Sequence, residues 1–521
     1  MTYTENEMEN EDGVTKRESK YLANYLAVAC LSLAMAAIVV LSGCAAIPAD
    51  QDRLPQQDVA RTRLAGDIKL ASEGWPEAKW WTGYNDAQLN GLIKHALSNG
   101  PTLEMAAARI GAARQALAFS TADRQINVGV DAGANRQRYS SNGLFPAPIG
   151  GAYYTEETVR LQATYQFDWW GKHRARIASA LGEVNARRAD YAMAEQTLAA
   201  GVAQSYFSLQ NGWARVAKLK QLAVLQQALL DDKARRIAHG LANADETQVV
   251  KAELASVRQQ IESTEAQNGR EREALRALLG DPGGNDGGEH GDTLAELEPR
   301  ALVPAKHALP AKLGMELLAR RADLQAAHWR VEAALSNIDA ARAAFYPDID
   351  LTGAIGLDAI KLSRLLESGS RTPFIGPTLS LPLFDSGRLG ASLGQARSER
   401  NEMIADYNQS VFNAVRDVAQ AGLYLKGIDQ QLAEQADMAQ ATAALQRTAQ
   451  ARFRQGLANR SATLNADVDE LVQEYLGLQL QGQQLTGEVA LVKALGGGYR
   501  SGLPAQAAGT SAAKAGNQAS E

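Results

Sequence analysis

The chain has 521 residues and only two cysteines, Cys30 and Cys44. Two thiols cannot build a disulfide framework or a four-thiolate metal site. The six histidines are scattered, with His290 and His307 in or near a glycine-rich stretch. There is no HExxH motif and no glycine-rich phosphate loop, so the usual metal and nucleotide chemistries have no footing. Aromatic residues make up only 6% of the chain, which favours long helices over a compact sandwich. A cationic excess is missing too: Lys and Arg number 53 against 59 Asp and Glu, a net charge of −6. No basic stripe is available for nucleic acid. Beyond Leu41 no apolar run is long enough for a transmembrane helix. Any crossing of a membrane there requires a closed barrel, because lipid tolerates no open sheet edge.

The N-terminus reads as an export signal. Basic KRESK (Lys16 to Lys20) precedes an apolar run from Tyr21 to Leu41, followed by LSGC. An uncleaved membrane anchor is the alternative, and the acidic stretch from Glu5 to Asp12 is unusual for a leader. LSGC is similar to a bacterial lipobox. That resemblance implies removal of residues 1–43, loss of Cys30 with them, and a covalent lipid on Cys44. Ala45, rather than Asp, implies sorting to the outer membrane.

Internal repetition organises the rest. HGLAN (His239 to Asn243) and QGLAN (Gln455 to Asn459) share a tetrapeptide 216 residues apart. WGK around Gly171 and SGR around Gly387 repeat at the same offset, as do LLG ending at Gly280 and ALG ending at Gly496. Upstream, the blocks beginning at Leu103 and Leu324 resemble each other at an offset of 221. The chain is therefore two copies of one long unit, not a short solenoid.

Each copy reads helix, strand, strand, long helix, returning helix. In the first, Pro101 to Arg124 is helical. Ile126, Val128, Val130, Ala132 and Ala134 then alternate with polar or small residues, the period of a two-faced strand. The second strand places Val159, Leu161, Ala163, Tyr165, Phe167 and Trp169 on one face and Arg160, Gln162, Thr164, Gln166 and Asp168 on the other. In the second copy the strands are DIDLTGAIGL, ending at Leu357, and IGPTLSLPLFD, ending at Asp385, with Leu379, Leu381 and Leu383 in phase. Pro347, Pro373, Pro377 and Pro382 fit poorly in a central strand. Strands of about ten residues suit a tilted membrane strand, although period two equally suits a soluble sheet. Four strands cannot close, since the smallest barrels have about eight. Two chains would supply eight strands and three would supply twelve. Trp169 and Trp170 fit either an aromatic girdle or packing at the strand-to-helix corner.

No proline interrupts Gly171 to Arg236, a helix of roughly 100 Å at 1.5 Å per residue. Its apolar positions (Ile177, Leu181, Val184, Tyr191, Leu198, Val202, Leu209, Val216) keep a coiled-coil spacing, broken by Arg188 and Glu195. The second copy repeats it with Leu393, Ile404, Tyr407, Val411, Val418, Leu425, Ile428 and Leu432. Gly240 and Gly456 end these helices, and Asn243 and Asn459 cap the returning ones. GLAN is thus a tight hairpin tip built once per copy. Leu241 and Leu457 at the tips either pack the hairpin closed or dock a partner.

The layout that follows is a signal peptide (1–43), a lipidated N-terminal segment (44–85), repeat 1 (86–280), a linker (281–311), repeat 2 (312–496) and a disordered tail (497–521). The linker rests on DPGGNDGGEHGD, and the tail is rich in Gly, Ala and Ser.

These residues resemble the TolC-type outer-membrane efflux factors, in particular the lipoprotein branch often described as NodT-like. The likeness covers about Cys44 to Tyr499. WWTGYNDAQLNGLIKHALSNGPTLEMAAARI is similar to the family's opening block and YQFDWWGKHRARI to its strand-to-helix junction. RRADLQAAHWRVEAALSNIDAARAAFYPDIDLTG and LSLPLFDSGRL are similar to its second-copy blocks. The resemblance implies an α+β membrane protein: a homotrimer with a twelve-strand β-barrel continued by an α-helical barrel into the periplasm. The hairpin tips Gly240, Leu241, Asn243, Gly456, Leu457 and Asn459 would meet a periplasmic adaptor and, through it, an inner-membrane pump. Ala322 departs from a common proline, and Asn465 from a common aspartate. Asp467 and Asp469 point elsewhere on the helix, so no gate ring is assigned. The expected function is a passive exit duct for small molecules such as drugs, with no enzyme activity, no metal and no cofactor beyond the lipid on Cys44. The alternative is a lipid-anchored coiled-coil spacer of the envelope.

Overall fold

A computed structural model describes residues 47–59, 75–241, 243, 245–281, 294–305 and 320–500. The leader, Cys44, residues 282–293 and 306–311 of the expected linker, residues 312–319 at the start of the expected repeat 2, and the tail from 501 lie outside the described residues. Within them, each copy forms the same series of elements. Helices α1 (Ala87–Asn99) and α2 (Pro101–Ala122) lead into strands β1 (Asn127–Arg138) and β2 (Tyr153–Phe167). Helix α3 (Lys172–Ala238) follows, and α4 (Asp245–Leu279) returns. The second copy is α5 (Ala322–Ala343), β3 (Asp348–Ala359), β4 (Arg371–Ser380), α6 (Arg388–Arg454) and α7 (Arg460–Ala494).

The duplication holds to the residue in its helices. Both outgoing helices have 67 residues and both returning helices 35. Six glycines with positive φ fall into three pairs: Gly171 and Gly387, Gly240 and Gly456, Gly280 and Gly496. Each pair is separated by the offset of 216. All but the first pair close a helix with a double backbone bond. Leu241 N–H donates to Arg236 O at 2.8 Å and Gly240 N–H to Ile237 O at 2.9 Å. Leu457 and Gly456 do the same onto Arg452 and Phe453 at 2.8 and 3.0 Å. This is the Schellman closure, which needs a left-handed residue after the last helical turn.

The chain divides into two compact units. One joins residues 47–53 with Leu117–Ala180 and Ala333–Asn401. It contains a four-stranded antiparallel meander, in the order β1-β2-β3-β4. A small cluster of Ile338, Phe345, Leu389 and Leu393 is its buried core.

The other unit holds the long helices over Leu181–Glu332 and from Glu402 onward, with Leu54–Ala116. Polar contacts set their order. Gln446 donates to Asp467 at 2.9 Å between α6 and α7. Lys218 meets Glu474 at 2.7 Å between α3 and α7, and Lys220 meets Glu265 at 2.7 Å between α3 and α4. The layer therefore runs α6-α7-α3-α4, one hairpin beside the other. Bare helix surface permits the close approach: a Cβ on Gly212 would lie 1.7 Å from Asn268 Oδ1. Its main core gathers Trp80, Tyr84, Leu89, Ile93, Leu198, Val202, Tyr206, Phe207, Leu275, Leu485 and Val489. Of the expected seam, Val184, Leu198, Val202, Leu209, Val216, Leu393, Ile404, Tyr407, Val411, Val418 and Ile428 are buried, whereas Leu181 is exposed.

Two boundaries move. Strand β4 spans Arg371–Ser380, so Leu381 and Leu383 are not strand residues although they stand in phase. Pro382 explains this: it lacks a donor and restricts the residue before it. The expected linker is not free over its whole length. Gln210 donates to Glu298 O at 2.9 Å and accepts from Arg300 N at 2.8 Å, while Leu294 is buried. Likewise residues 497–500 continue the ordered fold, with Gly498 against the Glu77 backbone.

Candidate functional site

Three features follow from these elements: a two-faced sheet, a strap and a pair of tips. In the sheet, directly opposed residues share a face, and the register joins like with like. Val130, Leu161, Ile355 and Pro373 form one cross-sheet row, and Val128, Ala163, Gly353 and Ile375 the next. Tyr165, Leu351 and Pro377 form another, and Phe167, Ile349 and Leu379 the last. The opposite face carries rows such as Gln162, Ala354 and Phe374, or Thr164, Thr352 and Gly376. Asp131, Arg160 and Asp358 also lie there, the last two 3.8 Å apart. The apolar face is open: Val130 is 68% exposed and Ile375 77%. Both outer strands, β1 and β4, have one unpaired edge among the described residues.

Aromatic residues bracket the apolar face. On β2, Tyr153 marks one end and Tyr165 and Phe167 the other, the last two rings in edge contact at 5.0 Å. Twelve residues separate the two tyrosines. At ~3.4 Å per residue and a tilt of ~45° that is roughly 29 Å, close to the ~25 Å apolar band of outer-membrane barrels. The adjoining tryptophans divide their roles. Trp170 stacks on Tyr346 at 4.6 Å and donates to Pro347 O, packing the corner, while Trp169 is 67% exposed beside Phe167.

Aspartates begin the long helices at this corner. Asp168 accepts from the backbone of His173 and Arg174 at 2.9 and 3.0 Å, and Asp385 from Gly387 and Leu389 at 3.0 and 2.6 Å. Each caps otherwise unsatisfied N–H groups.

The strap, residues 47–59, carries no periodic signal in the sequence. Asp50 is held by Arg400, which is 1% exposed, and Arg397 reaches the Pro48 and Ala49 carbonyls. Asn401 donates to Asp52 O at 2.7 Å. Further along, Asn408 accepts from Gln57 N–H and donates to Pro55 O, at 2.7 and 3.0 Å. The hydrogen bond from Arg400 and the charges of Arg400 and Arg397 outweigh desolvation and hold the Asp50 carboxyl below the usual range. On α6 the partners Arg397, Arg400, Asn401 and Asn408 have the look of a solvated face, which hid them.

The expected tip residues are where the repeat puts them. Gly240 and Gly456 have φ of 68° and 73°, with open space where a Cβ would be. Leu241 and Leu457 are 68% and 73% exposed, so neither closes its hairpin by burial. Asn459 accepts from Ala462 N–H at 2.9 Å as the cap of α7, and the Asn243 carbonyl accepts from Glu246 N–H at 3.2 Å. The two tips are neighbours. Ser461 Oγ donates to Asp232 Oδ2 at 2.6 Å, and Leu229, Val250 and Leu464 pack together behind them.

Comparison with known proteins decides the family. A family profile described as outer membrane efflux protein matches residues 92–281 and 313–497. The chain belongs to the outer membrane efflux protein family. This efflux protein is 40% identical to the multidrug resistance outer membrane protein MdtP of Escherichia coli (strain K12) over 471 residues, 89% of this chain and 95% of that one. It is 36% identical to the putative multidrug resistance outer membrane protein MdtQ of the same strain, over 91% of this chain and 98% of the relative. Among solved structures, the outer membrane protein VceC of Vibrio cholerae is similar, with a TM-score of 0.71 and 30% identity. That match covers 82% of this chain and 100% of VceC. The protein is thus an outer-membrane efflux channel with a transport role, and the envelope spacer is set aside.

Proposed function

We propose that three copies of this chain close one pore, an outward twelve-strand barrel continued by helices. It carries small molecules such as drugs from a periplasmic adaptor and an inner-membrane pump to the exterior. The carrying observation is the four-stranded sheet, whose apolar face is exposed and whose β1 and β4 edges lack partners among the described residues. Such a sheet is stable in lipid only when its edges are paired by further strands and its apolar face meets hydrocarbon. Three copies give twelve strands, within the range of bacterial barrels. The names of MdtP and MdtQ support drugs as cargo. Energy comes from the pump, since the channel offers a path and no chemistry. Residues 1–43 are removed on export, Cys44 carries lipid, and the strap that begins a few residues later ties this anchor to α6. The tips at Gly240, Leu241, Asn243, Gly456, Leu457 and Asn459 dock the adaptor.

Reconstitution into planar bilayers tests the pore. The expected result is discrete ion conductance from a species of three chains, retained in Cys44→Ser after an alkaline carbonate wash. Insulating bilayers together with a monomer in mild detergent would end the proposal.

A further inference from the structure

The two tips share a backbone but not a charge pattern. At the offset of 216, Asp231 corresponds to Arg447, Asp232 to Thr448, Lys233 to Ala449, Asp245 to Ser461 and Glu246 to Ala462. The first tip is neutralised from within. Lys233 Nζ lies 2.7 Å from Glu246 across the hairpin, and Arg235 lies 3.7 Å from Asp232. The second tip has lost these carboxylates. Between Asp437 and Asp467 the chain carries Arg447, Arg452, Arg454 and Arg460 and not one acid. All four arginines are exposed, and among the described residues Arg452, Arg454 and Arg460 form no ion pair.

The fold does not account for this concentration of charge. Arg452 and Arg454 end α6, where the helix dipole favours cations. Arg460 opens α7, where the dipole disfavours them, and its counterpart helix α4 opens with Asp245. Like charges also repel one another unless anions are supplied. Between the arginines stand Phe453, 44% exposed, and Leu457. An apolar knob ringed by unpaired guanidiniums is the pattern of a docking surface.

We infer that the second tip is the charge-reading half of the docking surface, and that its occupant is a helical hairpin end bearing carboxylates around an apolar residue. The first tip receives an equivalent hairpin through Leu241, without a charge preference. This rests on the reading of the tips as docking sites. In a trimer the two kinds of seat alternate, so partner molecules seated on them are inequivalent by charge.

The test uses the full-length protein in lipid nanodiscs. The probes are two synthetic antiparallel helical hairpins, identical except for Glu or Lys flanking a turn leucine. The Glu hairpin is expected to bind at least about tenfold more tightly at low salt, with the difference shrinking as salt is raised. Joint Arg452→Glu, Arg454→Glu and Arg460→Glu reverses the preference; Lys233→Glu with Arg235→Glu leaves it in place. Equal binding of both hairpins, lost from both in Leu241→Asp with Leu457→Asp, overturns the charge assignment and leaves the docking reading standing. Absence of binding by either hairpin, with efflux in cells intact in that leucine variant, overturns both. If reversing the arginines instead loosens the assembled trimer without altering hairpin preference, they serve a neighbouring copy and the inference is wrong.

Discussion

Ser461 and Asp232 join the two hairpins at their tips, with Oγ 2.6 Å from Oδ2 and both side chains buried. The pair is peculiar to one side of the duplication, because Asp245 and Thr448 occupy the corresponding positions. Removing the hydroxyl leaves a buried carboxylate short of a donor. Ser461→Ala is expected to loosen both tips by about 1–2 kcal/mol. Hydrogen exchange over residues 228–241 and 460–467 would report it. Unchanged exchange at both tips would show that the pair is incidental.

The tip glycines make a separable prediction. A Cβ at Gly456 or Gly240 meets no neighbour, so the main cost of a valine there is the left-handed conformation, about 1–2 kcal/mol. The double replacement is expected to leave the trimer assembled and to lower efflux. Drug accumulation in cells, measured beside the amount of trimer, decides. Normal efflux in the double variant would refute a docking role for the tip geometry.

The two faces of the sheet should respond oppositely to charge. Val130→Arg puts a cation on the apolar row of Leu161 and Ile355, at a cost of about 2–4 kcal/mol if that row lies at mid-membrane. Gln162→Arg falls on the polar face and should fold normally. Recovery of heat-modifiable protein in the outer membrane compares them. Equal recovery would mean that the apolar face does not meet lipid.

The strap should be sensitive to acid in one direction. Arg400 holds the Asp50 carboxyl below its ordinary value, so the contact contributes fully above the unfolded value of about 4. It is lost as the pH falls through the lowered folded value. Protease access to residues 47–59 is therefore expected to stay flat at neutral and mildly acidic pH and to rise only below about 4. Arg400→Ala should expose the strap already at neutral pH, for a loss of about 3 kcal/mol. A strap equally protected in that variant would remove the ion pair from the account.

Much of this was legible in sequence because it obeys local rules. A left-handed glycine at a helix end is a one-residue signal, so the positions at Gly240, Gly280, Gly456 and Gly496 could be read directly. Period two placed Val130 and Leu161 on one face before their pairing was known. Alternation misplaces strand β4 at both ends, for opposite reasons. Arg371 to Phe374 carries no alternation, and Leu381 and Leu383 keep alternation past a proline that stops the ladder. The strap was illegible because its residues have no period and gain their shape from Arg400 and Asn408, some 350 positions away. The docking of Glu298 and Arg300 onto Gln210 was hidden in the same way, since glycine-rich flanks masked a short anchored stretch.

Equal arms of 67 and 35 residues in both copies carry a consequence for how this protein can change. One inserted residue would turn everything beyond it by ~100° and push it ~1.5 Å along the axis. A lone insertion in α3 would swing Asp232 away from Ser461 and leave one arm longer than its sister. Length can therefore drift only by matched edits on both sides of the duplication, which makes the paired helices a ruler that the two halves of the gene must keep in common.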